Sequence, residues 1–218
     1  MTFPLLFSSF ISVCTDVFPA LSLMYEGAEA NVLLRSPRRV GKDRLVDWKL
    51  LVQAYLFLGT PIAVVAHLLY FVYMYRVWNV HPGMLFLAFD KWGVEGYAGL
   101  TIEQQHSALS GAQCVYFATI VILQLFGNLV NTRNRHLSLF QSPPTRNPYI
   151  FAAMVCSIGA AVVVTYVPVF HNIIATYPIP AEFWFFPLPF ALCMTGFDEI
   201  RKLLLRRYPE SRVAKISW

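Results

Sequence analysis

Ser8, Ser12, Thr15 and Asp16 recur at spacings of three and four along an otherwise apolar stretch, so they share one face of a helix. Asp16 is the only charged side chain between Met1 and Tyr25. An acid at membrane depth costs at least ~2.5–3.5 kcal/mol on insertion, so such residues face a bundle interior or a water-filled cavity. Pro19 lies three residues further on and has no N–H to give to the carbonyl of residue 15. The Thr15 carbonyl is therefore released next to the Asp16 carboxylate. A carboxylate, a free carbonyl and hydroxyls together form a hard-oxygen set suited to a cation. The same residues also fit a plain proline kink, with Asp16 hydrogen-bonded to a neighbouring helix. The segment alone leaves both readings open.

A weaker version of the theme occurs later. Gln124, Asn128 and Asn131 follow an i, i+4, i+7 pattern. Carboxamides so placed ligate a cation or join helices by hydrogen bonds, and joining is the better reading. Ser157 and Thr165 read as small packing residues, and His67 as a hydrogen-bonded structural histidine. Asp198 reaches Arg201 and Lys202 at i+3 and i+4, which predicts a mostly solvated ion-pair cluster that is also able to dock a cytoplasmic loop. Cys14, Cys114, Cys156 and Cys193 each sit in an apolar stretch and read as small buried hydrophobes. Soluble catalytic signatures are absent: the sequence has no Gly-rich phosphate loop, no GxSxG and no metal-ligand spacing.

These residues need a scaffold, and composition says which kind. Of 218 residues, 57% are hydrophobic and only 13% charged. Soluble domains carry roughly a quarter charged residues. Mean hydropathy is +0.53. The balance excludes a disordered chain, a coiled coil and a nucleic-acid-binding arm, and predicts an all-α membrane protein. Five stretches approach the ~20 residues that cross a bilayer: about 2–25, 50–75, 111–130, 149–170 and 183–197, forming a single transmembrane domain over 1–218. Of the 17 basic residues, only Arg76 and Lys91 fall in the second and fourth connections. The rest fall on the other side, in the loops around Arg35–Lys49 and Arg133–Arg146 and in the tail from Arg201. Basic loops stay in the cytoplasm, so the N-terminus is expected outside and the C-terminus cytoplasmic. Trp48, Trp78 and Trp184 fall near the predicted interfaces. The outside loop near 77–110 carries Trp92, Tyr97 and the acids Asp90, Glu95 and Glu103, and is able to pack over the helices or bind a partner.

Several stretches resemble the C-terminal membrane half of P-type cation-transporting ATPases of the sodium/potassium and proton/potassium pump kind. TDVFPALSLMYEGAE, Thr15 to Glu29, is similar to the end of the sixth membrane helix in those pumps, which reads TDxxPAxSLxYExAE. RSPR, Arg35 to Arg38, and DRLVDWKLLVQAYLFLG, Asp43 to Gly59, resemble the following loop and seventh helix. TRNRHLSLFQ, Thr132 to Gln141, resembles the loop between helices eight and nine. The run from Tyr177 to Pro209 ends, as the last pump helix does, in DEIRK followed by LRR. The likeness spans about Pro4 to Pro209, and helices six to ten of such a pump start outside and end in the cytoplasm.

The resemblance implies candidate monovalent-cation ligands at Asp16, Thr15, Ser12, Gln124 and Asn128. Asp16 matches the second acid of the sixth helix, and Thr15 its neighbour, whose backbone lies near an ion. Ser12 stands where the family has its other acid, and Ser157 where the ninth helix often carries a glutamate. Either Gln124 matches an eighth-helix glutamine, or Asn128 matches the aspartate that follows it. The DKTGT phosphorylation motif, the TGES loop and the nucleotide-binding domain do not occur in this sequence. The chain therefore looks like a fragment or separated half of a pump. It is expected to need no cofactor itself, with ATP and magnesium serving only a complete pump, and not to hydrolyse ATP alone. The implied partners are the remaining pump domains and helices, monovalent cations and membrane lipid, with no nucleic acid. The SYGQ run that sodium pumps use to grip a glycosylated subunit is missing, which argues against that partner. The implied location is the plasma membrane rather than an internal membrane. The alternative is a transport-inactive pump remnant acting as a membrane interaction or regulatory protein.

Overall fold

The computed structural model describes residues 15–27, 46–87, 91–134 and 137–208. Among them the secondary structure is entirely helical, with no strand. Helix α1 is Val17–Leu23, α2 Trp48–Trp78, α3 Pro82–Leu85, α4 Ile102–Thr132, α5 Pro148–Tyr166, α6 Pro168–Ile174, α7 Glu182–Phe185 and α8 Pro187–Arg207. Three of these, α2, α4 and α5, are long and apolar enough to cross a membrane. They correspond to the expected spans at 50–75, 111–130 and 149–170. The start of the first expected span, the basic loop at Arg35–Arg44, Asp90, Arg135, Cys14 and the tail beyond Tyr208 lie outside the described residues.

The boundaries differ from those read in sequence, for local reasons. Helix α4 begins nine residues earlier than expected because Thr101 and Gln104 form a capping box: Thr101 Oγ1 accepts from the Gln104 N–H, and Gln104 Oε1 accepts from the Thr101 N–H. Asp47 caps α2 by accepting from the Trp48 N–H at 2.7 Å, and Asn79 ends it in the left-handed conformation. At 31 residues α2 is about 45 Å long, exceeding a ~30 Å hydrocarbon core, with Trp48 and Trp78 at its two ends. The fourth span does not run on to 170. Val167 is extended because Pro168 follows it, and α6 starts afresh. The last helix runs ten residues past 197 into the charged stretch.

Helices α2 and α4 pack around Ala66, Leu69, Tyr73 and Met74 on one side and Ala108, Ala112, Val115 and Ala118 on the other. Small residues on α4 admit the larger ones of α2. Gly111 is a close approach: a Cβ there would run into the Tyr73 hydroxyl oxygen. A second core joins α4 to α5 through Phe117, Val121, Leu125, Ile150, Met154 and Val164. Helix α8 lies against the π-helical stretch Leu123–Leu129 of α4, where Gly127 faces Ala191 and Met194. Cys114 is buried as expected, but Cys156 and Cys193 are exposed on the bundle surface.

Each end of the bundle is tied off. On the side with few basic residues, the loop before α4 packs over the helices. The fully buried Gln105 accepts from the Gly93 N–H and donates to the Val94 carbonyl, both at 2.8 Å. At the basic end, the loop between α4 and α5 is held from two directions. Arg133 pairs with Glu26 at 3.1 Å, and Asn147 donates to Glu26 and to the Ser22 carbonyl, fixing the loop to the end of α1. Ser138 and the Leu139 N–H donate to Glu199, while Lys202 donates to the Asn131 carbonyl at 2.9 Å, fixing it to α8. The cluster expected to be solvated is largely enclosed. Lys202 is 1% exposed and pairs with Asp198 at 2.8 Å, because docking the loop covers it. His67 is hydrogen-bonded within its own helix, through Nδ1 to the Ala63 carbonyl at 2.7 Å.

Candidate functional site

A cavity of about 270 Å³ lies between α1 and the second half of α4. Thr15, Asp16 and Pro19 line one wall, and Gln124, Asn128 and Thr132 the other. Four of the five residues singled out in sequence are thus brought together. The fifth, Ser12, lies outside the described residues.

Local structure explains the convergence. The backbone at Thr15 and Asp16 is π-helical and passes into α1 just before Pro19. With no N–H at Pro19, the chain cannot keep a regular α-helical ladder there. On the facing helix the π-helical stretch Leu123–Leu129 contains both Gln124 and Asn128. Single π turns inside α-helices recur at functional sites. Thr132 continues the same face at i+4 from Asn128 and i+8 from Gln124, and its hydroxyl donates to the Asn128 carbonyl at 3.0 Å. Extending the carboxamide spacing by one more turn would have found it.

The polar groups are unevenly satisfied. The Thr15 carbonyl is not left free as expected: Ser157 of α5 donates to it at 3.0 Å. A buried carbonyl without a partner is costly, and a hydroxyl on the adjacent helix supplies one. Asp16 is exposed at the mouth of the cavity rather than enclosed by the bundle, while Thr15 is buried. Asn131, third in the carboxamide series, serves as a joint: its Nδ2 donates to Thr195 of α8 at 3.2 Å. The buried Oδ1 atoms of Asn128 and Asn131 both have no hydrogen-bond partner, but only that of Asn128 belongs to a residue lining this cavity. Asn128 also borders a second cavity of about 260 Å³, shared with Gln53, Asn131, Asn134, Asp198 and Arg201. Among the described residues no three His, Cys, Asp or Glu side chains cluster as a metal site.

Together the described residues form a helical domain with three helices long and apolar enough to cross a membrane and an oxygen-lined cavity built where two helices depart from α geometry. The chain belongs to the family described as cation transporting ATPase, C-terminus, whose model matches residues 10–204. It is 32% identical over 213 residues to a potassium-transporting ATPase alpha chain 1 from Xenopus laevis, covering 93% of this chain and 20% of that protein. It is 30% identical to a sodium/potassium-transporting ATPase subunit alpha-2 from Gallus gallus, covering 94% of this chain and 21% of the relative. A potassium-transporting ATPase alpha chain 2 from Oryctolagus cuniculus is also 30% identical, over 93% of this chain and 19% of its own length. The chain spans about a fifth of the length of these relatives.

Proposed function

We propose that this chain forms the ion-pathway part of a P-type monovalent-cation transporter. The observation that carries the reading is the single cavity in which Asp16, Gln124 and Asn128 converge from two helices, with one buried acceptor, Asn128 Oδ1, left unpartnered. A cation without its water needs several oxygen ligands. The carboxylate supplies charge, and the carboxamide oxygens supply dipoles. ATP hydrolysis belongs to pump domains whose motifs these 218 residues do not contain. The exposure of Asp16 fits a site completed by helices of that remainder.

The test is a chimera in which this chain replaces the matching segment of the Xenopus laevis potassium-transporting ATPase alpha chain 1. Cation-stimulated ATP turnover by the membrane-inserted chimera is the expected result. A second reading, a transport-inactive remnant, is favoured by Ser157 occupying the Thr15 carbonyl where the related pumps are expected to carry an acid. A chimera that inserts and reaches the membrane at normal levels yet shows no turnover would decide for that reading.

The proposed arrangement has five spans, an external N-terminus, a cytoplasmic C-terminus and residence in the plasma membrane, supported by the distribution of basic residues. Single cysteines at Glu103 and Thr145, both exposed, test it in a background without native thiols. An impermeant maleimide applied to intact cells should modify Glu103→Cys and leave Thr145→Cys untouched. The opposite pattern inverts the topology.

A further inference from the structure

The connection between α2 and α4 occupies two levels. After Trp78 the left-handed Asn79 turns the chain back, and the His81 ring meets that of Tyr75 with centroids 6.4 Å apart. By Leu85 the chain borders a cavity of about 280 Å³ with His67 and Phe71 of α2 and Leu109 and Gln113 of α4. Phe71 precedes Trp78 by seven residues, about 10 Å along the helix. Gln113 falls inside the apolar run of α4. This elbow therefore descends beside the spans. The next part of the connection stands higher, because Gly93 and Val94 are held by Gln105. Gln105 precedes Gln113 by eight residues, about 12 Å along α4.

The elbow is apolar on the outside as well as the inside. No charged residue occurs from Val77 to Phe89. Met84, Phe86 and Leu87 are 49%, 75% and 74% exposed, while Leu85 between them is buried. Neighbouring large apolar side chains turned outward from a loop mark an interaction surface, unlike apolar residues exposed singly. Backbone at membrane depth needs partners inside the protein. Here the Met84 N–H donates to the His81 carbonyl at 2.9 Å, the Gly83 N–H donates to His81 Nδ1 at 3.2 Å, and the Met84 carbonyl accepts from the Tyr97 hydroxyl at 2.7 Å. Tyr97 also packs edge-on against Trp92, with centroids 6.4 Å apart. Amphipathic rings of this kind are enriched where a membrane meets water.

We infer that residues 82–87 form an interfacial wedge, seated at the headgroup–acyl boundary of the phospholipid leaflet on the side with few basic residues, with Met84, Phe86 and Leu87 against lipid. Apolar faces at this boundary sit ~5–10 Å deep. The bilayer is the occupant because the patch continues the apolar outer surface of α2, through Phe71 and Tyr75, at the level where α4 becomes apolar. The wedge fixes the height of the α2–α4 pair in the membrane. The inference rests on α2 and α4 crossing a bilayer and is independent of ion transport.

The 218-residue chain in phosphatidylcholine nanodiscs allows a direct test. Single cysteines replace the exposed Phe86, Val94 and Leu68 in a background without native thiols, and each carries a fluorescent maleimide. Phosphatidylcholine bearing a nitroxide near the headgroup should quench the label at Phe86→Cys about twofold or more over that at Val94→Cys, and aqueous iodide should give the reverse order. Met84→Cys, on the same patch, should repeat the Phe86→Cys result. Leu68→Cys, part-way along α2, reports the span itself through a nitroxide deep in the acyl region. Equal lipid quenching at Phe86→Cys and Val94→Cys, or equal iodide quenching, would overturn the inference. So would shielding of Phe86→Cys from both quenchers, which would mean that protein, such as a second copy of this chain, covers the patch. Lipid quenching at Leu68→Cys without any at Phe86→Cys removes the wedge and keeps the spans. Loss at both removes the membrane-crossing arrangement as well.

Discussion

Asp16→Asn in the chimera should weaken apparent cation affinity by at least about tenfold, equivalent to ~1.4 kcal/mol, without changing membrane insertion. The substitution keeps the size and one acceptor oxygen of the side chain and removes its charge. Among the described residues lining the cavity, Asp16 is the only one with a formal charge. The site is polar but bounded by apolar Val121, Leu125 and Leu129, so the Coulombic term is screened less than it would be in bulk water. Cation dependence of ATP turnover is the measurement, with protein level at the membrane as control. An unchanged dependence would reduce Asp16 to a structural residue. If Asp16→Asn instead prevents assembly, Ser12→Asp gives the answer. A second acid one turn away on the same face should tighten cation binding if Asp16 is a ligand, and should leave it unmoved if Asp16 is not.

Gly111→Leu should be the most damaging single change to the bundle, lowering stability by about 3 kcal/mol or more, at or beyond the upper end of ordinary overpacking. Even a methyl group at this position would meet the Tyr73 ring at 2.8 Å. Tyr73 cannot retreat: it is fully buried, packs edge-on against Phe183 with ring centroids 5.2 Å apart, and lies within reach of Trp78 Nε1. The contact holds α2 to α4, so the loss should appear as early thermal unfolding in detergent. Gly159 on α5 provides the contrast, because a Cβ there meets open space. Gly159→Ala should be neutral or slightly stabilising, since alanine is favoured over glycine within helices by up to ~1 kcal/mol. Equal melting temperatures for Gly111→Leu and the parent chain would show that α2 and α4 are not packed as described.

The sequence made some features of this molecule readable and concealed others, for physical reasons. Hydropathy located α2, α4 and α5 because transmembrane helices need long apolar runs. It placed the start of α4 too late, because Glu103, Gln104 and Gln105 are polar and a capping box, not apolar content, starts the helix. The site was readable where polar residues kept helical spacing on an apolar background, as Thr15 with Asp16 and Gln124 with Asn128 do. Asn131 belongs to the same series yet points to α8, since spacing along one helix carries no information about which neighbour each residue meets. The Ser157 contact with the Thr15 carbonyl joins positions 142 residues apart, and no local pattern encodes it. The burial of Lys202 was only partly readable: the charged cluster could be seen as able to dock a cytoplasmic loop, but its spacing does not say that a loop folds back to cover it.

Three helical segments bordering the two polar cavities contain π-helical backbone: Thr15–Asp16, Gln53–Gly59 and Leu123–Leu129. A π turn accommodates a residue that an α turn would pass along the helix axis. Returning such a stretch to α geometry would offset everything beyond it by one register position, about 100° of rotation and ~1.5 Å of travel. For α4, that step would turn Asn128 off the wall it shares between the two cavities, while the capped start of the helix at Thr101 stayed in place. In that α register the carboxamide oxygen would no longer meet the cavity, and the change would need no hinge or loop to move.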